Sequence, residues 1–281
     1  MRTIGVIGNG FVGHATSLLE CNEVKLLVYD VVPEKCIPVG LKLEDLNRCD
    51  VVFICVPTPM NKNGSCHLSI VKKAVYNLRQ VIDEKKTHIV IRSTVPAGTS
   101  VMLDTYFMPE FLTEKNWPTD FKTCLHWVFG LKNQSTDKHF KQVITEIFRS
   151  AKKYGKIDND NLHFINSKEA EMVKYFKNCY LASKVSFCNE MENYCNAKLI
   201  NYEVVRFHST LDPRIGISHT FVPGPDGKRG YGGTCFPKDT NALYFDMKKH
   251  KVPSYILKGS IFRNKRLDRK EQDGEKGRAY I

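Results

Sequence analysis

The sequence predicts an α/β architecture: a doubly wound parallel sheet, a long central helix, and a smaller, mostly helical region. Three observations carry that expectation. Strand-like runs alternate with helical stretches through the first half, the pattern of parallel strands joined by crossover helices. The N-terminal run opens directly into a glycine-rich turn, Gly8-Asn9-Gly10-Phe11-Val12-Gly13. From Lys168 to Asn196 neither glycine nor proline intervenes, which leaves room for one long helix.

Thr3 to Ile7 reads as the first strand, His14 to Leu19 as helical, and Val24 to Tyr29 as a second strand ending in Asp30. A lone G-x-G-x-x-G is a weak signal; between a strand and a helix, with an acid about twenty residues on, it is a strong one. Gly8 permits the tight turn, Gly10 lets the backbone approach a pyrophosphate, and Gly13 allows close helix–strand packing. Phe11 and Val12 lie in that turn. Asp30 is placed to bond ribose hydroxyls and to repel a 2′-phosphate, so a Rossmann site for NAD is expected over one for NADP. Incidental glycines in an ordinary βα turn are the competing reading.

Asp50 to Val56 is an apolar run suited to a buried parallel strand, stopped by Pro57-Thr58-Pro59. Val71 to Ile82 reads as a helix, and His88 to Ile91 as a strand leading into Arg92-Ser93-Thr94. Ligands of such sheets bind beyond the carboxyl ends of the strands, which puts both loops beside the cofactor. His126 to Leu131 is expected as the last strand. Glu110 and Glu114, four apart, would share one face of a helical turn; a solvated acidic turn is the alternative.

Ser167 is a candidate cap for the long helix. Met172, Phe176, Tyr180, Phe187, Met191 and Tyr194 form its apolar stripe. Roughly 28 residues at 1.5 Å each span about 40 Å, enough to connect two domains. Lys174 and Asn178 lie off the stripe, either as a solvated pair or as one projecting into an interdomain cleft. Residues 1–166 are expected as the NAD-binding domain, 167–262 as the central helix with a helical catalytic and dimerisation domain, and 263–281 as a charged C-terminal tail.

Gly230-Tyr231-Gly232-Gly233-Thr234-Cys235-Phe236-Pro237-Lys238-Asp239 is the motif richest in chemistry. A helix beginning near Pro237 would set the thiol at its N-terminus, where backbone N–H groups favour a thiolate. Lys238 adds positive charge and Asp239 can accept a proton. That is the equipment of a covalent nucleophile, although an inert buried cysteine is the commoner case. Pro223 to Gly230, with Lys228 and Arg229, is a flexible basic stretch suited to an anionic substrate.

Composition narrows the class. The formal charge is +12, but the basic residues are dispersed, without the aromatic-interleaved block of a nucleic-acid site. No apolar run approaches the roughly 18 residues of a membrane span. The ten cysteines are scattered without CxxC pairs, as reduced thiols in a cytoplasm-like compartment would be. Cys66-His67 is the nearest thing to metal spacing, and no metal site is expected.

The motifs occur in a set order: the Gly8–Gly13 turn, Val56-Pro57-Thr58-Pro59, Ser93-Thr94-Val95-Pro96, Pro109-Glu110-Phe111-Leu112, Lys174 with Asn178, Asp212-Pro213-Arg214-Ile215-Gly216, and Gly232 to Asp239. In that ordered set, over about residues 1–262, the sequence resembles the UDP-glucose/GDP-mannose dehydrogenase family. The resemblance implies oxidation of a nucleotide-sugar's primary alcohol to a carboxylate with two NAD per turnover. It implies a water held by Thr94 and Asp239 as first proton acceptor, Cys235 as the nucleophile that traps the aldehyde, and Lys174 with Asn178 stabilising the oxyanion. Glu110 would assist hydrolysis of the thioester and Glu114 would help place Thr94 and the sugar. Cofactor contacts would include Val56, Pro57, Thr58, Ser93, Thr94 and Lys238. Phe111, Leu112, Tyr231, Gly232 and Gly233 would line the substrate.

By the same resemblance Arg214 reaches a partner subunit's site, and a homodimer forms on the long helix. The chain departs from the family pattern at Cys66-His67, where Pro-Asp is common, in a short connection from Thr94 to Glu110, and in stopping where a third, nucleotide-holding domain would begin. It is expected to be a compact, split or truncated form. A two-electron β-hydroxyacid dehydrogenase, which needs no Cys235, and a non-enzymatic NAD-binding relic are the alternatives.

Overall fold

The computed structural model describes residues 1–271 and 280–281. The chain divides into two compact units, Met1–Thr58 with Leu68–Lys174, and Pro59–His67 with Tyr175–Ile281.

The first unit is built on a seven-stranded sheet in the order β2-β1-β3-β4-β5-β6-β7. Its strands are β1 (Arg2–Ile7), β2 (Val24–Tyr29), β3 (Val51–Ile54), β4 (His88–Ile91), β5 (Tyr106–Phe107), β6 (Trp127–Leu131) and β7 (Leu162–Asn166). Every pairing is parallel except that of β5 with β6. Its helices are α1 (Phe11–Ser17), α2 (Ser69–Arg79), α3 (Thr99–Met102), α4 (Trp117–Lys122), α5 (Lys138–Lys153) and the start of α6 (Ser167–Ala197). All four residues of β3 are buried, and they alternate: Val51 and Phe53 enter one core cluster, Val52 and Ile54 the other. A strand's two-residue period, applied to an unbroken apolar run, thus builds a core on both faces of the sheet. At Gly130 of β6 a Cβ would stand 2.7 Å from the Cα of Ser167, so this glycine admits the start of α6.

Two elements correct the expected order. His126–Leu131 does not end the sheet, because α5 and β7 follow it. The signal for α5 was present in Phe140, Val143, Ile144, Ile147, Phe148 and Ala151, all buried and spaced as one helical face. Ser167 does not cap α6: its hydroxyl donates to the Leu131 carbonyl at 2.9 Å, and Glu169 accepts from the backbone and side chain of Asn166 instead.

Helix α6 is 31 residues long, and the division between the units falls within it, after Lys174. The aromatic members of its expected apolar stripe face outward, with Met172 and Met191 half-buried. Phe176, Tyr180, Phe187 and Tyr194 are exposed, whereas Glu171, Lys174, Asn178, Ala182, Ser186 and Asn189 are buried. Those six recur at helical intervals of three and four, and the polar ones are bonded. A satisfied polar row can be buried at little cost.

The second unit continues with α7 (Tyr202–Thr210), α8 (Phe236–Lys249), α9 (Tyr255–Arg263) and a π-helical turn, Asn264–Asp268. Asn201 caps α7, its side chain accepting from Glu203 and Val204. The Pro59–His67 segment folds back on itself through a Met60–Cys66 bridge. Residues 263–271 are not the fraying tail that their charge implied: Asn264, Asp268 and Arg269 are buried, because ion pairs and backbone bonds satisfy them. The remainder of the expected tail, 272–279, lies outside the described residues.

Candidate active site

In the first unit the glycine turn follows β1 and starts α1. Gly8 has φ +95°, and a Cβ there would stand 2.8 Å from the Cys55 carbonyl oxygen; one on Gly13 would collide with the Gly8 carbonyl. Gly10 has open space around its Cβ position. Two glycines are therefore required by packing, while the third leaves the backbone accessible. Phe11 and Val12 form the first turn of α1. Asp30 follows β2, and its carboxylate accepts from the backbone N–H of Asn9 at 2.7 Å and of Val32 at 2.9 Å. It is thereby fixed at the mouth of the turn.

The loops after β3 and β4 are tied together, since the Ser93 hydroxyl donates to the Val56 carbonyl at 2.6 Å. Thr58, Ser93 and Thr94 are buried, with Pro57 exposed. These residues occupy the carboxyl ends of neighbouring strands, as a doubly wound sheet requires of a ligand site.

Glu110 and Lys174 form the second feature of this unit. The Lys174 ammonium donates to the Glu110 carboxylate and to its backbone carbonyl, each at 2.7 Å, and both side chains are almost fully buried. The other Glu110 oxygen accepts from the Leu112 N–H at 3.0 Å, and the Phe111 ring lies 5.8 Å from the ammonium. Glu110 is thus no part of a solvated turn. Nor does it share a helical face with Glu114, which is exposed in a segment outside any helix.

In the second unit Cys235 is the N-cap residue of α8, with a proline in the first turn, so the thiol stands where the helix dipole favours a thiolate. Asp239, one turn on, is fully buried. Its carboxylate accepts from Asn178 Nδ2 at 2.6 Å and from the Lys238 ammonium at 2.6 Å. Burial is the largest single influence on Lys238 and disfavours its charge, but the adjacent Asp239 carboxylate together with Cys66 and Cys235 raises the lysine above its ordinary value. Burial pushes the neighbouring Cys179 thiol up, with Asp239 adding to the effect, which keeps that sulfur a neutral packing group. Tyr231 is buried, Gly232 and Gly233 carry the chain to Thr234, and Arg214 is exposed with its guanidinium on Asp212.

Two models of one family match this chain. The UDP-glucose/GDP-mannose dehydrogenase family's NAD binding domain covers residues 40–152 and its central domain covers 168–266. The chain belongs to this family. It is 29% identical to the UDP-glucose 6-dehydrogenase of Rickettsia prowazekii over 91% of its own length and 62% of that protein's. A solved UDP-glucose dehydrogenase from Pyrobaculum islandicum superposes with a TM-score of 0.77 at 25% identity, over 94% of this chain and 67% of that one. A 3-hydroxyisobutyrate dehydrogenase from Mycobacterium tuberculosis matches with a TM-score of 0.71 over 95% of this chain and 96% of its own, at 14% identity; that likeness is one of fold alone.

The chain spans about half to three fifths of the UDP-glucose 6-dehydrogenases it matches. The family's cofactor is NAD, and the glycine turn with Asp30 suits it: an accessible backbone at Gly10 for the pyrophosphate and a fixed carboxylate for the ribose.

Two buried charged residues near these loops were not singled out from the sequence. Arg92, immediately before Ser93, is buried with its Nε unbonded, and it lines a small pocket of about 30 Å³ with Glu110, Phe111 and Asp120. Burial lowers its basicity, an effect that Cys55, Glu110 and Cys124 oppose. Glu171 accepts from the N–H groups of Gly98 at 2.5 Å and Ser100 at 2.7 Å, holding the segment that follows Thr94. An arginine ending an apolar strand was a readable signal for the first. Glu171 gave none, since its partners are backbone groups more than seventy residues away.

Proposed function

We propose that this chain catalyses the four-electron oxidation of a nucleotide-sugar's primary alcohol to the uronate, with UDP-glucose the first candidate substrate and Cys235 the covalent nucleophile. The observation that carries the reading is Cys235 at the N-terminus of α8, one turn from a buried Asp239 that holds Asn178 and Lys238. A two-electron alcohol oxidation has no use for such a thiol.

Bound NAD supplies the hydride acceptor in each of two successive oxidations. Thr94 and Asp239 would hold a water that takes the hydroxyl proton in the first. Cys235 then adds to the aldehyde carbon, giving a thiohemiacetal. Lys174 and Asn178 would stabilise charge on its oxygen, where fixed donors contribute most. Loss of the second hydride leaves a thioester on Cys235, and water, assisted by Glu110, releases the acid and regenerates the thiol. Phe111, Leu112, Glu114, Tyr231, Gly232 and Gly233 would shape the sugar site, and Lys238 would border the cofactor.

We infer a homodimer through α6. Its exposed face of Phe176, Tyr180, Phe187 and Tyr194 supports this, being a larger apolar row than monomers usually leave in water. Arg214 would reach the partner's site. None of the ten cysteines is joined in a disulfide, which supports a reducing, cytoplasmic compartment, and among the described residues no helix is long and apolar enough to cross a membrane.

The test is NADH formation with UDP-glucose: two NADH per sugar consumed, abolished in Cys235→Ser. Silence with UDP-glucose, UDP-N-acetylhexosamines and GDP-mannose alike overturns the proposal. Full turnover by Cys235→Ser with one NADH per substrate would favour two-electron chemistry instead.

A further inference from the structure

The loop that delivers Cys235 is gripped from behind by the segment that follows α9. Asn264 meets Tyr231 with both ends of its amide: Oδ1 accepts from the Tyr231 N–H at 2.8 Å and Nδ2 donates to the Tyr231 carbonyl at 2.9 Å, all of it buried. Gly230, at φ +66°, lies so close to this segment that a Cβ would stand 2.9 Å from the Cβ of Asp268. The Arg269 guanidinium lies against Gly232, where a Cβ would stand 2.7 Å from its Cζ. Arg269 is 3% exposed; it donates to the Arg229 carbonyl at 3.2 Å and pairs with the Asp226 carboxylate.

The grip has its own supports. Arg263 pairs with Asp268 at 2.9 Å. Arg229 pairs with Glu192 at 2.7 Å and donates to the Asn189 carbonyl at 3.2 Å, while Asn189 accepts from the Gly230 N–H at 3.2 Å. The bonds to Tyr231, to the Arg229 carbonyl and to the Gly230 N–H fall on the backbone of residues 229–231, just before the nucleophile. Gly233, at φ +70°, has open space around it. A glycine run of this kind is conformationally permissive, so the thiol's position depends on what fixes the chain entering it.

We propose that Asn264 and Arg269 are positioning residues for Cys235: they hold Tyr231 and Gly232 so that the short glycine run enters α8 with the thiol at the helix N-terminus. The inference rests on the reading of Cys235 as nucleophile. Neither side chain touches substrate in this role. A carboxylate at 264 would keep the acceptor for the Tyr231 N–H and lose the donor to its carbonyl. A lysine at 269 cannot cover both the Arg229 carbonyl and the Asp226 carboxylate with the planar fork of a guanidinium.

The experiment compares Asn264→Ala, Asn264→Asp, Arg269→Ala and Arg269→Lys in the full chain, with Arg266→Ala, on the same turn but exposed, as the control. Two quantities are read: the pH profile of Cys235 alkylation by iodoacetamide, followed by peptide mass spectrometry against Cys21, and kcat with KM for NAD. Both alanine variants should move the alkylation midpoint up toward an ordinary thiol. They should also lower kcat about 10- to 100-fold with KM for NAD unchanged, the cost of a nucleophile misplaced by an ångström or so. Asn264→Asp should recover part of both readouts, and Arg266→Ala should match the wild type. Wild-type kcat and alkylation in folded alanine variants would overturn the proposal. If those variants do not fold, Asn264→Asp and Arg269→Lys decide it by the same readouts. A wild-type chain with no turnover would count against the proposed reaction, while the alkylation profiles would still decide for or against the grip.

Discussion

Lys174 with Glu110 in the first unit and Lys238 with Asp239 in the second are both buried ion pairs of 2.6–2.7 Å, yet they are built in opposite ways. The first joins α6 to a loop 64 residues earlier in the sequence, and the same ammonium holds that loop's backbone. It is a tie, and breaking it frees a segment. The second joins sequence neighbours in the first turn of α8, and Asn178 gives its carboxylate another partner. It is a local charge arrangement, and helix geometry keeps its members together whether or not they attract. One chemistry therefore serves two ends: holding a loop where the sequence is distant, and setting the electrostatics of a nucleophile where it is adjacent.

The sharpest way to separate the two is to remove what each serves. Cys235→Ser, beside the second pair, should lower formation of the acid roughly a thousandfold or more while leaving the unfolding midpoint in denaturant nearly unchanged; product analysis with NADH counting checks it. Lys174→Met should add a loss that Cys235→Ser does not show, costing about 3–5 kcal/mol of stability because Glu110 is left charged and buried. Adding Glu110→Gln should recover part of that loss in equilibrium unfolding.

Lys238→Met should cost less, about 1–3 kcal/mol, since Asp239 keeps Asn178. Equal costs for the two lysine variants would break the comparison. Asn178→Ala should lower kcat about a hundredfold, the scale of one lost oxyanion donor, with a destabilisation of about 1 kcal/mol visible as a small drop in Tm.

The smallest effect concerns a site away from both pairs. His88, at the start of β4, bonds His139 at 2.9 Å. Burial, with the His139 and Lys132 charges, lowers its pKa from 6.5 to about 4, against opposing pulls from Asp137 and Asp50. A histidine held neutral in the fold contributes stability that is complete above its ordinary value and is lost as pH falls toward the folded one. Thermal midpoints should therefore fall between pH 6.5 and about 4, and His88→Gln should flatten that slope.

The sheet and the nucleotide turn were legible because unbroken apolar runs and the glycine fingerprint are local signals. The thiol at the start of α8 was legible for the same reason: a proline just inside a helix marks its start. What escaped depended on distant partners. The aromatic positions of α6 were expected to form its inner face, yet Phe176 and Tyr180 lie outside while Lys174 and Asn178 lie inside. Hydrophobic periodicity assumes that burial follows apolarity, and here it follows hydrogen-bond satisfaction by Glu110 and Asp239. Likewise the charge of residues 263–271 implied solvent, because the backbone of Tyr231, Gly232 and Arg229 that satisfies them is invisible in their own composition.

Lys174 and Asn178 stand four residues apart on one unbroken helix. Their separation is therefore a matter of helical phase: about 6 Å along the axis and some 40° around it. No loop adjustment can alter that offset. A single inserted residue between them would swing Asn178 by about 100° relative to Lys174, severing one buried partner while sparing the other. Length changes should be tolerated nowhere within this turn, which makes α6 a ruler as much as a scaffold.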